Sequence, residues 1–191
     1  SGDQSAMELP YGDNYEALLN LFLAELAEGK GRFTDQIING VFHCCEMTTW
    51  ALSAHLRLQK AKGYLPSHKE HVIDMGAGWM ASLLSWIYYY LKPLFDNQNP
   101  LIAERLHMEL KTRILNTYMN NDHFWWMAFD LTPRTRVNNW NPWCNFYVLQ
   151  CFFLLENDRN RLAKAVYRTM TSVDRFINYT QGDGACAEGP T

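Results

Sequence analysis

Apolar side chains recur at helical spacing through most of the chain, as in Leu18, Leu19, Phe22, Leu23 and Leu26, while the period-two alternation of a half-buried strand is scarce. This pattern predicts a nearly all-α protein with helices over about 13–28, 34–61, 76–91, 100–119, 142–155 and 158–178, their ends placed to within ~2–4 residues. The expected stops are Gly29 and Gly31, Gly63 with Pro66, Pro93, and the stretch from Gly182 to Pro190.

The predicted helices differ in kind. Residues 76–91 carry Trp79, Leu83, Trp86 and Tyr90 on one side and Met80, Leu84, Ile87 and Leu91 on another, so neighbours must cover this helix on several sides. Residues 100–119 instead mix Glu104, Arg105, Glu109, Lys111 and Arg113 with an apolar stripe, as an outer helix does. Inner and outer helices in one chain imply a layered α/α arrangement. No exact internal repeat is visible. Between Asn120 and Asn141 the periodicity fails, yet the segment holds Trp125, Trp126, Phe129 and Trp140. A long aromatic loop in a helical domain is often functional, although large rings also serve as lids over a core.

Composition narrows the field. The 191 residues are 48% hydrophobic and 19% charged, enough for one globular unit with a sizeable core. A net charge of −3 argues against the basic surface that would neutralise a nucleic-acid backbone, so no nucleic-acid partner is expected. The longest apolar runs, 79–91 and 146–155, fall short of the ~20 residues that span a bilayer. The start of the sequence does not read as an export signal, which leaves one already removed open. The five cysteines, including the adjacent Cys44 and Cys45, make neither a CxxC metal pattern nor a disulfide framework, and no metal cluster or cofactor is expected.

The stretch Asp74-Met75-Gly76-Ala77-Gly78-Trp79-Met80-Ala81 matches the G-x-G-x-x-G/A dinucleotide fingerprint. That fingerprint works only between a buried strand and a helix inside a βαβ unit, with an acidic residue after a second strand. None of that context is present here. The preferred reading is that Gly76 and Gly78 permit close packing at a helix start.

Two other segments carry more chemistry. In Asn138-Asn139-Trp140-Asn141-Pro142-Trp143, Pro142 suits the first helical position and Asn141 the N-cap, so a helix is expected to begin there. Its free N–H groups and positive dipole end favour an anion, and Arg134 and Arg136 just upstream add charge. Ordinary capping with solvated arginines is the plainer alternative. The second segment, Asp183-Gly184-Ala185-Cys186-Ala187-Glu188-Gly189-Pro190, is turn-rich and offers two carboxylates to a cleft.

Taken together with Phe42-His43-Cys44-Cys45-Glu46-Met47-Thr48-Thr49-Trp50 and His55, these segments resemble the heparinase II/III-like polysaccharide lyases, from about Phe42 to the last residue. NNWNPW, then a helix, then DGxxxEGP is the most specific part. The resemblance implies an incomplete (α/α) toroid of which residues 1–191 form part, with the C-terminal remainder and a β-sandwich region absent. It implies β-elimination on an acidic, uronic-acid-containing polysaccharide of the heparin or alginate kind, no cofactor, and a periplasmic or secreted location. It leaves oligomeric state open. By position it carries the carboxylate-neutralising role to Asn139, with Asn138 close behind. A His that some relatives place beside this Asn is absent from NNWN. The family's Tyr follows EGP almost at once and its partner His comes later still, so this chain alone is expected to be inactive.

The chemistry explains the need for such residues. The proton beside a uronate carboxylate is too weakly acidic to remove at neutral pH unless preorganised donors stabilise the enolate-like transition state, each worth ~3–4 kcal/mol. Arg134, Arg136, Trp140, Asn141, Glu46, Trp50, His55, Trp126, Asp183 and Glu188 are the expected substrate-binding residues, with Glu46 and Trp50 on one helical face. A rival (α/α) glycoside hydrolase would pair Glu46 with Asp183 or Glu188 as acid and base. A non-catalytic sugar-binding or scaffold domain would keep the aromatic loop and need no Asn-Asn-Trp at a helix start.

Overall fold

The structure, a computed structural model, describes residues 4–132 and 136–185. It contains α1 (Gln4–Glu28), α2 (Thr34–Glu46), α3 (Met75–Gln98), α4 (Pro100–Leu110), α5 (Thr117–Asn120), α6 (Trp140–Leu155) and α7 (Arg159–Tyr179). Short 3-10 turns lie at Ser53–Leu58 and Trp125–Met127, and a π-helical stretch, Lys111–Asn116, joins α4 to α5. Among the described residues there is no strand, as the hydrophobic periodicity predicts.

Side-chain contacts give the layering. Tyr11 of α1 donates its hydroxyl to Gly76 O of α3, Tyr15 stacks on Trp79 at 3.7 Å, and Phe22 meets Tyr90, so the two helices run side by side in the same direction. Helix α6 runs the same way as α3: Tyr147 lies over Gly78, and Gln150 bonds Ser82 and Ser85 one turn further along. The polar helices return in the opposite direction. α2 folds back on α1, with Gly40 against Leu18. α4 follows α3 after the single residue Asn99. α7 folds back on α6 with Ser172 beside Asn141 and Asn145. Three parallel helices are thus backed by three antiparallel ones. In α3 the face with Met80, Leu84, Ile87 and Leu91 is buried, as is Leu83, while Tyr90 on the other expected face is more than half exposed.

This topology sorts the connections by length. The tight ones, 29–33, Asn99 and 156–158, lie at the C-terminal end of α1, α3 and α6. The long ones, 47–74 and 121–139, gather at the opposite end, where α3 and α6 begin. Irregular backbone that varies freely on a rigid scaffold is where binding and catalytic groups usually sit.

Several element boundaries depart from expectation. The helix expected over 34–61 ends at Glu46, because the last carbonyls find other donors. Cys44 O accepts from the indole N–H of Trp50 at 2.8 Å and from Met47 N–H, and Cys45 O accepts from Arg105 and Arg113. Orphan carbonyls satisfied in this way free the chain to leave the helix. Trp50 is therefore past the helix end and shares no helical face with Glu46. Pro93 does not stop its helix; α3 continues to Gln98, with Leu91 and Phe95 buried on either side of the proline. Burial of an aromatic and an aliphatic side chain, about 1.5–3 kcal/mol each, offsets the ~3 kcal/mol that an interior proline costs. α1 likewise passes through Pro10.

Candidate functional site

The site assembles at the end where the long connections gather. Helix α3 opens there with Asp74 as its N-cap, whose Oδ1 accepts from Ala77 N–H at 2.7 Å. Its Oδ2 accepts from Leu52 N–H at 3.0 Å and lies 2.6 Å from Nδ1 of His55. The carboxylate is fully buried, so it fixes the 47–58 connection and the imidazole to the start of α3 at once. The His55 ring meets the Trp140 ring in a T-shaped contact at 4.6 Å, and Trp140 meets Trp125 at 5.2 Å. Trp125 is 42% exposed, giving this end of the molecule an accessible aromatic platform.

The two glycines of the dinucleotide-like stretch are packing positions. A Cβ on Gly76 would stand 2.8 Å from Leu52, and one on Gly78 would stand 2.8 Å from the Tyr147 ring. Residues 72–74 form no strand and the motif is enclosed by helices, so it serves the crossing of α3 with α6 and with the 50–52 segment.

Helix α6 begins two residues earlier than expected, at Trp140, with Asn139 at the N-cap position making no side-chain cap bond. Asn138 Oδ1 accepts from Trp140 N–H at 3.2 Å. Asn138 and Asn139 are half-buried at the helix mouth, and Arg136 is exposed just before them. Asn141 is not the cap. It is fully buried and its Nδ2 donates to Trp126 O at 2.8 Å and to Ser172 O and Oγ at 3.1 Å. Asn145, one turn on, donates to Ser172 Oγ and accepts from the hydroxyl of Tyr118 at 2.8 Å. Ser172 in turn donates to Met127 O. The network seats the 125–127 turn on α6 and α7 and thereby holds Trp125 beside Trp140. Spacing could have suggested Asn145, four residues after Asn141 and on the same face. Ser172 and Tyr118 come from distant sequence and carried no such signal.

The other expected binding residues scatter. Trp50 is buried, donates to Cys44 O, and lies under Arg113 at 4.8 Å; it is a core residue rather than a cleft wall. Trp126 is likewise buried, donating to Ile73 O at 2.9 Å. Glu46 pairs with Arg105 of helix α4 at 3.1 Å. Asp183 accepts from Ala185 N–H in the turn after α7. That turn lies at the same end as Asn139, because α7 runs antiparallel to α6. Arg134 and Glu188 fall outside the described residues.

Beside this cluster, a cleft of about 290 Å³ is lined by Tyr11, Leu52, Gly76, Trp79 and Tyr147. Tyr11 is no candidate base, since burial and the nearby Asp74 push its pKa up and its hydroxyl is given to Trp50 O and Gly76 O. Burial also raises the pKa of Tyr147. A larger cavity of about 650 Å³ opens on the outer side between Met119, Phe129, Tyr167 and Arg168. There Arg168 pairs with Asp122 and lies over the rings of Phe129 and Tyr118, so its charge is already engaged.

Among the described residues, no three His, Cys, Asp or Glu side chains group to hold a metal, and no helix is long and apolar enough to cross a membrane. No protein-family model matches the chain, and comparison with curated proteins finds no significant match.

Proposed function

We propose that this chain is the helical catalytic part of a polysaccharide lyase that cleaves uronic-acid-containing chains by β-elimination. The observation that carries the reading is the convergence at one end of the parallel helices. Half-buried Asn138 and Asn139 at the mouth of α6, the Trp125–Trp140 platform and the His55–Asp74 pair all lie where the long connections gather. The roles follow from the chemistry. Aromatic faces stack on sugar rings. Asn139, assisted by Asn138 and the positive end of α6, binds the uronate carboxylate and stabilises the charge that develops as the neighbouring proton leaves. Exposed Arg136 attracts the acidic polymer.

The (α/α) toroid is proposed with the function. Three inner helices backed by three outer ones are consistent with part of such a ring. Tyr89, Tyr90, Phe146 and Phe153 of α3 and α6 are more than half exposed, an apolar surface of the sort that adjoining inner helices cover. A hydrolase would need two facing carboxylates, yet Glu46 is turned to Arg105 and Asp183 is engaged in its own turn.

The test is ultraviolet absorbance over time with the intact protein on heparin, heparan sulfate, chondroitin, hyaluronan and alginate. A rise from the conjugated double bond, abolished by Asn139→Ala, is the expected result. New reducing ends without that rise would replace the lyase by a hydrolase.

A further inference from the structure

We propose that the outer cavity between α7 and the 121–139 connection is a binding site for a neutral sugar, a second site that does not depend on the lyase reading. At about 650 Å³ the cavity falls within the roughly 300–1,000 Å³ of small-ligand pockets. None of its lining residues belongs to the cluster around Asn139, Trp140 and His55.

The class of ligand follows from the lining. Met119, Phe129 and Tyr167 supply apolar wall, and the Tyr167 ring is 74% exposed, open to a partner that stacks on it. A sugar ring is apolar on its C–H faces and polar around its edge, so it needs such a wall together with polar groups beside it. The charged groups of the cavity balance, Asp122 and Asp130 against Lys164 and Arg168. Arg168 is already engaged, because it pairs with Asp122 and its guanidinium lies over Phe129 at 4.6 Å and Tyr118 at 5.2 Å. There remain one carboxylate, Asp130, and one ammonium, Lys164, both exposed and neither in an ion pair among the described residues. An anion entering the cavity would meet Asp130, a cation would meet Lys164, and a hydrocarbon would use neither. A hydroxyl group donates and accepts at once, so a polyol uses both. The Thr171 hydroxyl gives its proton to Tyr167 O, which leaves its oxygen as a further acceptor. The wall is also preformed. Arg168 donates to Asn121 O as well as pairing with Asp122, which ties the connection to α7 and leaves little ordering for binding to impose.

The experiment follows the binding of maltose, cellobiose and lactose to the intact protein by saturation-transfer NMR, with titration and thermal melting, for wild type, Tyr167→Ala, Lys164→Ala and Trp125→Ala. Wild type is expected to bind at least one of the three saturably. Tyr167→Ala should weaken that binding at least about fivefold, as loss of a stacked ring implies, with melting unchanged because the ring is exposed. Lys164→Ala should weaken it as well, while Trp125→Ala, at the mouth of α6, should bind as wild type does. Absence of wild-type binding to all three sugars would overturn the proposal. Binding lost in Trp125→Ala and kept in Tyr167→Ala would overturn it too, by moving the sugar to the mouth of α6. A uronate disaccharide that binds more tightly than the neutral ones, with the same sensitivity to Tyr167→Ala, would overturn the neutral class. Elimination is not part of the readout, so the lyase reading stands or falls separately.

Discussion

Four asparagines within eight residues do different work, and their variants should separate. Asn141 is buried and bonded to Trp126 and Ser172, so Asn141→Ala takes the side-chain donor away from the buried Trp126 carbonyl and should cost about 1–3 kcal/mol in denaturant unfolding. Asn139→Ala, at the half-buried mouth of α6, should abolish elimination while the protein stays folded. Elimination retained by this variant would contradict the assignment. Gly78 is a second residue-scale test. A Cβ there would stand 2.8 Å from the Tyr147 ring, so Gly78→Ala should destabilise by about 1–3 kcal/mol, and much less in a Tyr147→Ala background. Cysteine reactivity offers a third. Burial pushes the thiols of Cys44, Cys45 and Cys151 up to about 11, 12 and 12 and holds that of Cys144 well above its ordinary value. These four should stay unmodified when the native protein is alkylated at neutral pH and mapped by mass spectrometry, since the thiolate is the nucleophile. Labelling of any of them before unfolding would show that its surroundings are open.

At the scale of elements, periodicity located six helical segments because each inner or outer helix repeats its apolar positions every three to four residues. Boundaries were less legible for identifiable reasons. The end of α2 depends on Trp50 and two arginines of α4 and the π-helical stretch reaching its carbonyls, contacts that no local pattern announces. The passage of α3 through Pro93 depends on Phe95 being buried by the tertiary fold. The loop 121–139 was readable as aromatic and irregular, but which tryptophan would be covered was not: Trp126 enters the core and adjacent Trp125 does not. His55 was legible as a candidate. Its partner Asp74 was not, because the two meet only when the 47–58 connection folds onto α3. Pro93 also yields an element-scale prediction. Pro93→Ala restores a backbone donor on an exposed helical position and should raise stability by roughly 1–3 kcal/mol. A loss of stability would mean that the packing requires the proline's bend.

The whole molecule is held across its layers by a buried charge network whose pH dependence can be worked out. Glu109 lies between Arg105 at 2.7 Å and Arg113 at 2.6 Å, and Arg105 and Arg113 both reach Cys45 O at the end of α2. Burial alone would raise the Glu109 pKa, but the hydrogen bonds and charges of Arg113 and Arg105 outweigh it and hold the carboxyl below its ordinary 4.5. A folded-state pKa below the unfolded one gives stability that is fully present above the ordinary value and lost as pH falls through the lowered one. The melting temperature of wild type should therefore fall more steeply below about pH 4.5 than that of Glu109→Gln. Parallel profiles would remove Glu109 from the acid sensitivity.

At this scale the central claim is that the end bearing Asn139, Trp140 and His55 performs an elimination. Mass spectrometry of the oligosaccharides released by the intact protein tests it most directly. The account predicts products whose new non-reducing ends lack the mass of one water relative to hydrolytic fragments and which vanish with Asn139→Ala. Fully hydrated fragments, or unsaturated ones that Asn139→Ala still makes at the wild-type rate, would contradict it.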